Sequence, residues 1–277
     1  MSAEAQLSDE FTKNYPDRPA RLKVKIDSAL LQRQRLVELA GALSPHLVEF
    51  NPGDLPVSIR PDEVPGAAQS AAETIERIGE CRSWLALRNV EHDPAYKALA
   101  AEALAALEPT IEKATGAIVQ RETFIFISSP EAVTPFHFDE EHNILMQVDG
   151  AKTVSIFRAE DREIASQSEL ERFHSGGHRN LAFDPAFEAR AMKVRLEPGD
   201  ALYVPPLAPH YVTVEDEGPS LSLSVTWRSA RTRRNIYLHQ INHALRKKGG
   251  HPRFPGEAPI IDQLKIWRES AKRRLGL

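Results

Sequence analysis

The dipeptide Asp149-Gly150 lies between two short apolar runs, and this arrangement constrains the fold more than any other feature of the sequence. Residues 143–148 (NILMQV) and 151–157 (AKTVSIF) are rich in aliphatic and β-branched side chains. Asp-Gly between such runs is the strongest short-range signal for a two-residue β-hairpin. The sequence therefore predicts two paired strands here, with Gln147 opposite Lys152.

This register decides which side chains share a face of the sheet. Alternate residues of a strand point to the same side, so Asn143 would lie on the face that carries Lys152. Counting back gives the same face to His137 and Asp139, provided that no bulge intervenes. A three-residue loop would reverse the register and turn Lys152 towards solvent, and the spacing leaves this alternative open.

A His-x-Asp pair is followed, far downstream, by a further histidine. Because His137 and Asp139 are two residues apart, one strand can present both to one metal ion. His210 follows the turn at 198–200 and the apolar run 201–204, so it lies on a separate strand. Two histidines and one carboxylate form the facial triad that binds Fe(II) in oxygen-activating enzymes. These three residues are therefore the candidate catalytic and metal-ligating residues.

A lysine that points into a β-barrel needs an anionic partner, because an unpaired buried charge is costly. A dicarboxylate cosubstrate would supply one, since its keto acid end can chelate iron while its far carboxylate binds Lys152. The alternative is that Lys152 lies on the solvated side, which is the commoner position of a lysine.

These motifs resemble those of the cupin-like branch of the Jumonji C oxygenases, and especially the asparaginyl hydroxylase that inhibits the hypoxia-inducible factor. The family pattern Thr-Pro-x-His-x-Asp, then Asn, then Gly-x-Lys, matches residues 134–139, Asn143 and 150–152. A Gly-Asp-x-Leu-Tyr-x-Pro segment before the second histidine matches residues 199–205. The resemblance covers the second half of the chain, and residues 84–91 also look like bacterial cupin-like proteins.

The resemblance implies a fold that is mainly β with helices, a double-stranded β-helix (jelly-roll, cupin) barrel preceded and followed by helical sections. It implies Fe(II) bound by His137, Asp139 and His210, with 2-oxoglutarate as cosubstrate. The implied activity is that of a dioxygenase that hydroxylates a protein side chain or a small molecule and releases succinate and CO2. Demethylation through a hydroxylated N-methyl group is chemically the same step.

The resemblance also implies a binding site for the cosubstrate. Lys152 and Thr134 would hold the far carboxylate of 2-oxoglutarate, with Asn143 nearby. One position departs from the family pattern, because the chain has Thr226 where the family commonly has an asparagine near the cosubstrate. The hydroxyl of Thr226 is the candidate replacement.

The patterns along the chain predict four sections. They are a flexible arm at 1–20, a helical section packed on the barrel at 21–120, the barrel at 121–230 with an insertion at 158–191, and basic C-terminal helices at 231–277. Helical stretches are expected at 28–43, 71–88 and 94–116. The glycine-containing part of the insertion, 175–180, is expected to border the substrate entrance, because long connections in compact domains are often binding loops.

Charge is unevenly distributed along the chain. Residues 231–277 contain 12 Lys and Arg against 3 Asp and Glu, a net charge of +9, which leaves −13 for the rest of a chain of net charge −4. Such asymmetry can mark a nucleic-acid contact, but packing of the basic tail on its own acidic body or on a second subunit is the favoured reading. The apolar residues of this tail, Tyr237, Leu238, Ile241 and Leu245, suggest a homodimer formed through C-terminal helices.

The sequence excludes some settings and leaves some functions open. No run of about 18 apolar residues occurs, so no membrane span is predicted, and the first residues lack the pattern of a signal peptide. A single cysteine, Cys81, allows no intrachain disulfide and fits a cytoplasmic protein. Two rival functions are a metal-dependent cupin enzyme of other chemistry and a non-catalytic Jumonji-like module that binds a partner or nucleic acid.

Overall fold

Two antiparallel sheets form the centre of the structure. A computed structural model describes residues 3–24, 26, 28–53, 55–59, 70–215 and 218–275. The sheets have seven and four strands, and aliphatic side chains from both, such as Leu145 and Leu202 of one and Val154 and Val194 of the other, form a common core between them. This arrangement confirms the predicted jelly-roll barrel.

Each sheet has a simple order. In the larger sheet the strands pair in the order β1 (Ala20–Lys23), β9 (Asp200–Val204), β6 (His142–Asp149), β11 (Ser220–Ser229), β4 (Ile118–Ser128), β3 (Ser83–Arg88) and β2 (Val48–Pro52). In the smaller sheet the order is β5 (Val133–His137), β10 (His210–Val214), β7 (Lys152–Ile156) and β8 (Met192–Leu196). Every pair of neighbours is antiparallel.

Helices lie on both sides of the barrel sequence. The N-terminal ones are α1 (Ala3–Asn14), α2 (Arg33–Ala42), α3 (Ala71–Glu76), α4 (Pro94–Ala105) and α5 (Glu108–Thr115), and the later ones are α6 (Gln167–Phe173), α7 (Ala230–Lys247) and α8 (Pro259–Leu275). The N-terminal helices pack on the outer face of the larger sheet and form the main core with it. None of the described helices is both long enough and apolar enough to span a lipid bilayer.

The N-terminal part differs from its prediction in two respects. The section expected as a flexible arm contains α1, because Phe11 is fully buried against the rings of Tyr15 and Tyr203. The section expected to be helical also supplies β1, β2 and β3 to the larger sheet. The helix predicted over 71–88 ends at Glu76, and β3 follows it. The residues of β3 are buried on both faces. Periodicity alone does not distinguish such a strand from a buried helix.

The predicted hairpin at Asp149-Gly150 is wrong. β6 pairs with β9 and β11 on its two edges, whereas β7 pairs with β10 and β8 in the other sheet. The turn therefore carries the chain from one sheet to the other, and Gln147 is not opposite Lys152. Gly150 has φ of +64°, and a Cβ there would lie 2.1 Å from the carbonyl oxygen of Pro219, so close packing against a neighbouring loop requires the glycine.

The C-terminal helices leave one apolar surface uncovered. The residues expected to form a dimer on α7 are partly used within the chain, since Leu238 and Ile241 are buried. The exposed apolar side chains lie on α8 instead: Ile260, Ile261, Leu264 and Trp267 are 48–78% exposed. Their spacing places them on one helical face. We call these four residues the α8 stripe, and it is the candidate surface for the predicted homodimer.

We expect Trp267→Glu to convert a dimer into a monomer, because it places a charge in the middle of a face that two copies would share around a two-fold axis. Light scattering coupled to size exclusion measures the mass directly. Arg268→Gln is the matched control, since it changes the net charge by the same amount on an exposed neighbour outside the stripe. A monomeric wild-type protein at every concentration would contradict the prediction.

Candidate metal centre

The two histidines of the sequence motif lie opposite each other on neighbouring strands. His137 at the end of β5 is the direct partner of His210 at the start of β10. The register shifts between His210 and Val212, so that Val212 is opposite Thr134. This bulge gives His137 and Thr134 the same inward face although they are three residues apart, because a bulge adds one residue to one strand of the pair.

The three ligand atoms of the motif converge. Among the described residues, His137, Asp139 and His210 form one group in which the candidate ligand atoms all lie within 4.8 Å of one another. Oδ2 of Asp139 is 3.6 Å from Nε2 of His137 and 3.8 Å from Nε2 of His210. The structure therefore brings together the three residues that the sequence proposed as metal ligands.

Backbone carbonyls fix the orientation of both imidazole rings. Nδ1 of His137 is 2.7 Å from the carbonyl oxygen of Pro135, and Nδ1 of His210 is 3.0 Å from that of Ala208. A carbonyl only accepts, so Nδ1 carries the proton and the lone pair lies on Nε2. Burial and the neighbouring His137 lower the pKa of His210 to about 4, which keeps it neutral, as a metal ligand must be.

Arg179 of the insertion binds the carboxylate of the motif, and the sequence analysis missed it. Its Nη1 donates to Oδ1 of Asp139 over 2.6 Å, which leaves Oδ2 directed at the two histidines. Burial alone would raise the pKa of Asp139, but Arg179 and His137 hold it well below its usual range. The chemistry of the residues offered one signal for this pairing. A half-buried carboxylate such as Asp139 requires a cation, and Arg179 follows the Gly-Gly of the segment that was expected at the substrate entrance.

The backbone of the insertion also pairs with the strand that bears the ligand. The amide of Leu181 donates to the carbonyl of Phe136 over 2.9 Å, and Asn180 forms a bridge with His137. This pairing places the side chain of Arg179 beside Asp139. The segment 178–180 lines the same cavity as His137, which agrees with the expectation that this part of the insertion borders the entrance.

Lys152 points into the barrel. It is the first residue of β7, opposite Val214 on one side and Leu196 on the other, and only 3% of it is exposed. Among the described residues, no hydrogen bond or ion pair reaches its ammonium, and burial lowers its pKa to about 7. The inward orientation was predicted from a hairpin that does not form; it arises because the inner faces of the two sheets oppose each other.

The remaining predicted cosubstrate residues lie on the same interior. Thr134 lines a cavity of about 280 Å³ with His137, and Asn143 and Thr226 line a larger one of about 530 Å³ with Asp139. The side chain of Asn143 accepts a hydrogen bond from Ser224 over 2.7 Å. The hydroxyl of Thr226 donates to the carbonyl of Glu122 over 3.3 Å. Their roles towards a cosubstrate stay predictions.

The walls of the larger cavity, which we call the mouth, are acidic and aromatic. Five carboxylates line it against three guanidinium groups: Glu49, Glu122, Asp139, Glu140 and Glu141, with Arg88, Arg179 and Arg228. Burial and the charge of Asp139 raise the pKa of Glu141 to about 7. The rings of Phe124 and Phe126 stack along one wall. Acidic groups thus outnumber basic ones in the mouth, although Arg179 binds Asp139 and Arg228 binds Glu140 and Glu141.

The donor set fits a divalent iron ion. Two imidazole nitrogens and one carboxylate oxygen occupy one side of the centre, which is the composition and arrangement of the 2-His-1-carboxylate triad. Each of the three ligands also forms a second hydrogen bond that orients it: His137 with the carbonyl of Pro135, His210 with the carbonyl of Ala208, and Asp139 with Arg179. The mouth and the smaller cavity give access from the other side.

Comparison with known proteins places the fold and the motif in a wider group. A family described as "Cupin-like domain" matches residues 68–233. Jumonji C domain-containing protein 5 of Drosophila melanogaster is 35% identical over 101 residues, which are 34% of this chain and 25% of that protein. The tRNA wybutosine-synthesizing protein 5 of Mus musculus is 33% identical over 107 residues, 37% of this chain and 32% of that protein. The alignments thus span about a quarter to a third of these relatives.

Solved structures share the fold. The Escherichia coli protein YcfD superposes with a TM-score of 0.53 at 20% identity, over 95% of this chain and 66% of that chain. A second structure, titled as YcfD, a ribosomal oxygenase, in complex with cobalt and 2-oxoglutarate, gives a TM-score of 0.50 at 21% identity, over 91% of this chain and 59% of that chain. The narrower resemblance to an asparaginyl hydroxylase stays a prediction.

We expect Arg179→Gln to weaken the binding of a divalent metal ion by about 10- to 100-fold, the usual effect of removing a group that orients a metal ligand. The affinity for Mn(II) is measured by calorimetry. Arg158→Gln is the control, because Arg158 lies at the start of the same insertion and its ion-pair partner among the described residues is Glu160. Equal affinities of the Arg179 variant and the wild type would show that Arg179 does not orient Asp139.

Proposed function

The chain belongs to the family of cupin-like domains, and we propose that it is an Fe(II)- and 2-oxoglutarate-dependent oxygenase. In this proposal it hydroxylates a protein side chain or a small molecule. When bound, iron and 2-oxoglutarate would supply the oxidising chemistry, in which one atom of O2 enters succinate and the other enters the substrate as a hydroxyl, with release of CO2. The cofactor and cosubstrate carry this step, and the protein positions the reactants.

One observation carries the proposal: a buried lysine, for which the described residues supply no partner, lies in the same barrel interior as the converged triad. The ammonium of Lys152 needs an anion, because burial without one lowers its pKa to about 7. Along β10, Lys152 lies opposite Val214, four residues beyond His210, or roughly 13 Å of strand. A long lysine side chain and a short dicarboxylate chelating the metal together span such a distance.

Each predicted site residue has a separate role in this proposal. His137, Asp139 and His210 would hold the iron on one side. Lys152 and the hydroxyl of Thr134 would bind the far carboxylate of 2-oxoglutarate, with Asn143 and Thr226 at the mouth. The insertion, through Arg179, would keep one oxygen of Asp139 directed at the metal and exclude water from that side. The acidic mouth favours a substrate whose reacting end carries positive charge.

The relatives support the proposal without naming the substrate. A Jumonji C protein is among them, and the E. coli ribosomal oxygenase of the same fold is described with cobalt and 2-oxoglutarate. An intact ligand set disfavours a non-catalytic module, and Lys152 disfavours a metal-dependent cupin enzyme of other chemistry. Part of the basic tail binds its own body, since Arg231 pairs with Asp17 over 2.9 Å and Arg246 with Glu171 over 2.7 Å. A cytoplasmic homodimer stays our prediction.

An anaerobic titration tests the proposal. The apo protein receives Fe(II) and then 2-oxoglutarate, and a visible charge-transfer band of the iron chelate is expected. Asp139→Ala should abolish the band, because it removes a ligand. Binding of iron without any band after addition of 2-oxoglutarate would exclude the oxygenase and favour another metal-dependent chemistry.

Lys152→Ala should weaken 2-oxoglutarate binding by roughly 10- to 150-fold, because a hydrogen bond to a charged group contributes about 1.5–3 kcal/mol and about 1.4 kcal/mol is tenfold. The same band gives the affinity. The control is Lys193→Ala, whose lysine lies on the neighbouring β8 but is exposed and paired with Glu188. A change in 2-oxoglutarate affinity below about twofold would show that its far carboxylate does not bind Lys152.

The affinity for 2-oxoglutarate should fall as the pH rises above about 7. The pKa of Lys152 is lowered to about 7, so the free protein carries the ammonium below this pH and loses it above. A dianion then binds only with uptake of a proton, and the affinity falls by up to about tenfold per pH unit. Lys152→Arg keeps its charge and should remove the slope. A flat wild-type profile between pH about 6.5 and about 8.5 would contradict this mechanism.

A further inference from the structure

The imidazole of His239 is buried and lacks a hydrogen-bond partner. His239 lies on α7, only 1% of it is exposed, and neither of its ring nitrogens has a partner among the described residues. Burial, together with His174 and Arg162, lowers its pKa to about 3, so the ring is neutral and carries one N–H. Buried polar groups in native proteins are nearly always paired, so this ring indicates a group that binds beside it.

His239 lines a cavity that is separate from the metal centre. The cavity has a volume of about 380 Å³ and lies between the insertion, the loop 205–207, α7 and the segment that follows α7. Neither the three residues of the triad nor Lys152 lines it. We call it the His239 cavity, and its volume is within the range of small-molecule sites.

A guanidinium group lies beside His239 in this cavity. The guanidinium carbon of Arg162 is 4.0 Å from the centre of the Phe254 ring, and the centre of the His239 ring is 5.1 Å from the same point. Arg162 donates to the carbonyl of Ala159 over 2.6 Å, but among the described residues no carboxylate forms an ion pair with it. Burial lowers the pKa of Arg162 in spite of the acidic residues around it. A cation and an N–H donor therefore share one wall of the cavity.

The acidic residues of the region are engaged elsewhere. Each of the three carboxylates that line the cavity has an ion-pair partner of its own: Asp17 has Arg231, Glu140 has Arg228 and His174, and Glu160 has Arg158. Two further carboxylates near Arg162 are also bound, Asp161 by Arg190 and Glu257 by the amide of Phe254. The chain thus leaves Arg162 and His239 to be satisfied by a ligand.

The same residues decide the charge of that ligand. A metal ion is disfavoured because Arg162 would repel it, and because the triad is the one group of candidate ligand atoms that converges within the described part of the chain. An oxyanion accepts from a guanidinium and from an imidazole N–H together, and hydrogen bonds between charged groups are the strong ones. The rest of the wall is largely apolar, with Ile236, Phe254 and the two prolines 205–206.

We propose that the His239 cavity binds a small organic anion, whose carboxylate or phosphate accepts hydrogen bonds from Arg162 and His239 and whose apolar body packs against Phe254. The site adjoins the metal centre, since Glu140 lines both this cavity and the mouth. Leu207 lines the cavity as well, and its amide donates to the carbonyl of Asp139 over 2.7 Å. The bound anion would therefore lie against the loop that supports the backbone of a metal ligand.

The first test is calorimetry of the Mn(II)-loaded protein with benzoate and with phenyl phosphate, which carry the two kinds of anionic group on the same apolar ring. At least one of them should bind one to one with a Kd of about 1 mM or tighter, and the tighter probe identifies the anionic group. Benzamide has the shape of benzoate without the charge and should bind at least about tenfold more weakly. Lack of saturable binding of both anions, or equal binding of benzamide, would overturn the proposal.

Variants locate the probe. Arg162→Gln should weaken the tighter probe by at least about tenfold, and Arg162→Lys should weaken it less because the charge is kept. His239→Phe keeps the ring and removes the N–H, and it should also weaken the probe. His243→Phe is the matched control, one turn later on α7, half-buried and outside the cavity. Lys152→Ala should leave the affinity for the probe unchanged. A loss in Lys152→Ala and none in Arg162→Gln would place the probe in the barrel interior and overturn the proposal.

A measurement on the wild type keeps the proposal testable if these variants do not fold. Crystals soaked in 4-bromobenzoate should show the anomalous signal of bromine in the His239 cavity. A bromine signal at other places with none in this cavity would overturn the proposal. The inference does not depend on the proposed function, because the titration with Fe(II) and 2-oxoglutarate reports on the triad and Lys152, none of which lines this cavity.

Discussion

The antiparallel pairing of β5 with β10 is the constraint on which the metal centre depends. His137 and His210 are more than 70 residues apart in the sequence, and their direct pairing brings the ring centroids to 4.2 Å. The bulge beside His210 turns Thr134 inward at the same time. Since each Nδ1 is bound by a carbonyl two residues away on its own strand or loop, the backbone alone sets the position, the tautomer and the direction of both imidazoles.

The charges inside the barrel follow a second physical rule, that a buried ion requires a partner. Asp139 has Arg179, which comes from the insertion, and Arg228 holds Glu140 and Glu141 at the mouth. Lys152 has no such partner within the described chain. A protein that neutralises its interior carboxylates and leaves one lysine unpaired has an interior suited to an anion, and this imbalance supports 2-oxoglutarate more directly than the triad does.

The sequence allowed the metal ligands to be predicted, but not the residues and strand pairings that hold them in position. His137, Asp139 and His210 could be found because a His-x-Asp pair with a distant histidine is the ligand pattern of the facial triad. Lys152 was found through the family motif, although the hairpin used to orient it does not form. The pairing around Asp149-Gly150 could not, because a turn between two strands of one sheet and a turn between two sheets have the same local signal. Arg179 escaped notice because a long insertion without periodicity gives no register, and only the fold shows which of its charged residues reaches the barrel.

The insertion that carries Arg179 illustrates how the chain combines a shared centre with individual surroundings. His137, His210 and Lys152 lie on barrel strands, whose geometry is fixed by hydrogen bonds between neighbours, and Asp139 follows directly after the end of β5. The two segments that complete the interior, β3 and the insertion, lie outside those strands and are held to them by edge pairing and by single side-chain contacts. Function resides in sites placed on a fold rather than in the fold itself. Because β3 and the insertion supply part of the walls of the mouth, a change in them can alter the choice of substrate while the ligand geometry on β5 and β10 stays the same.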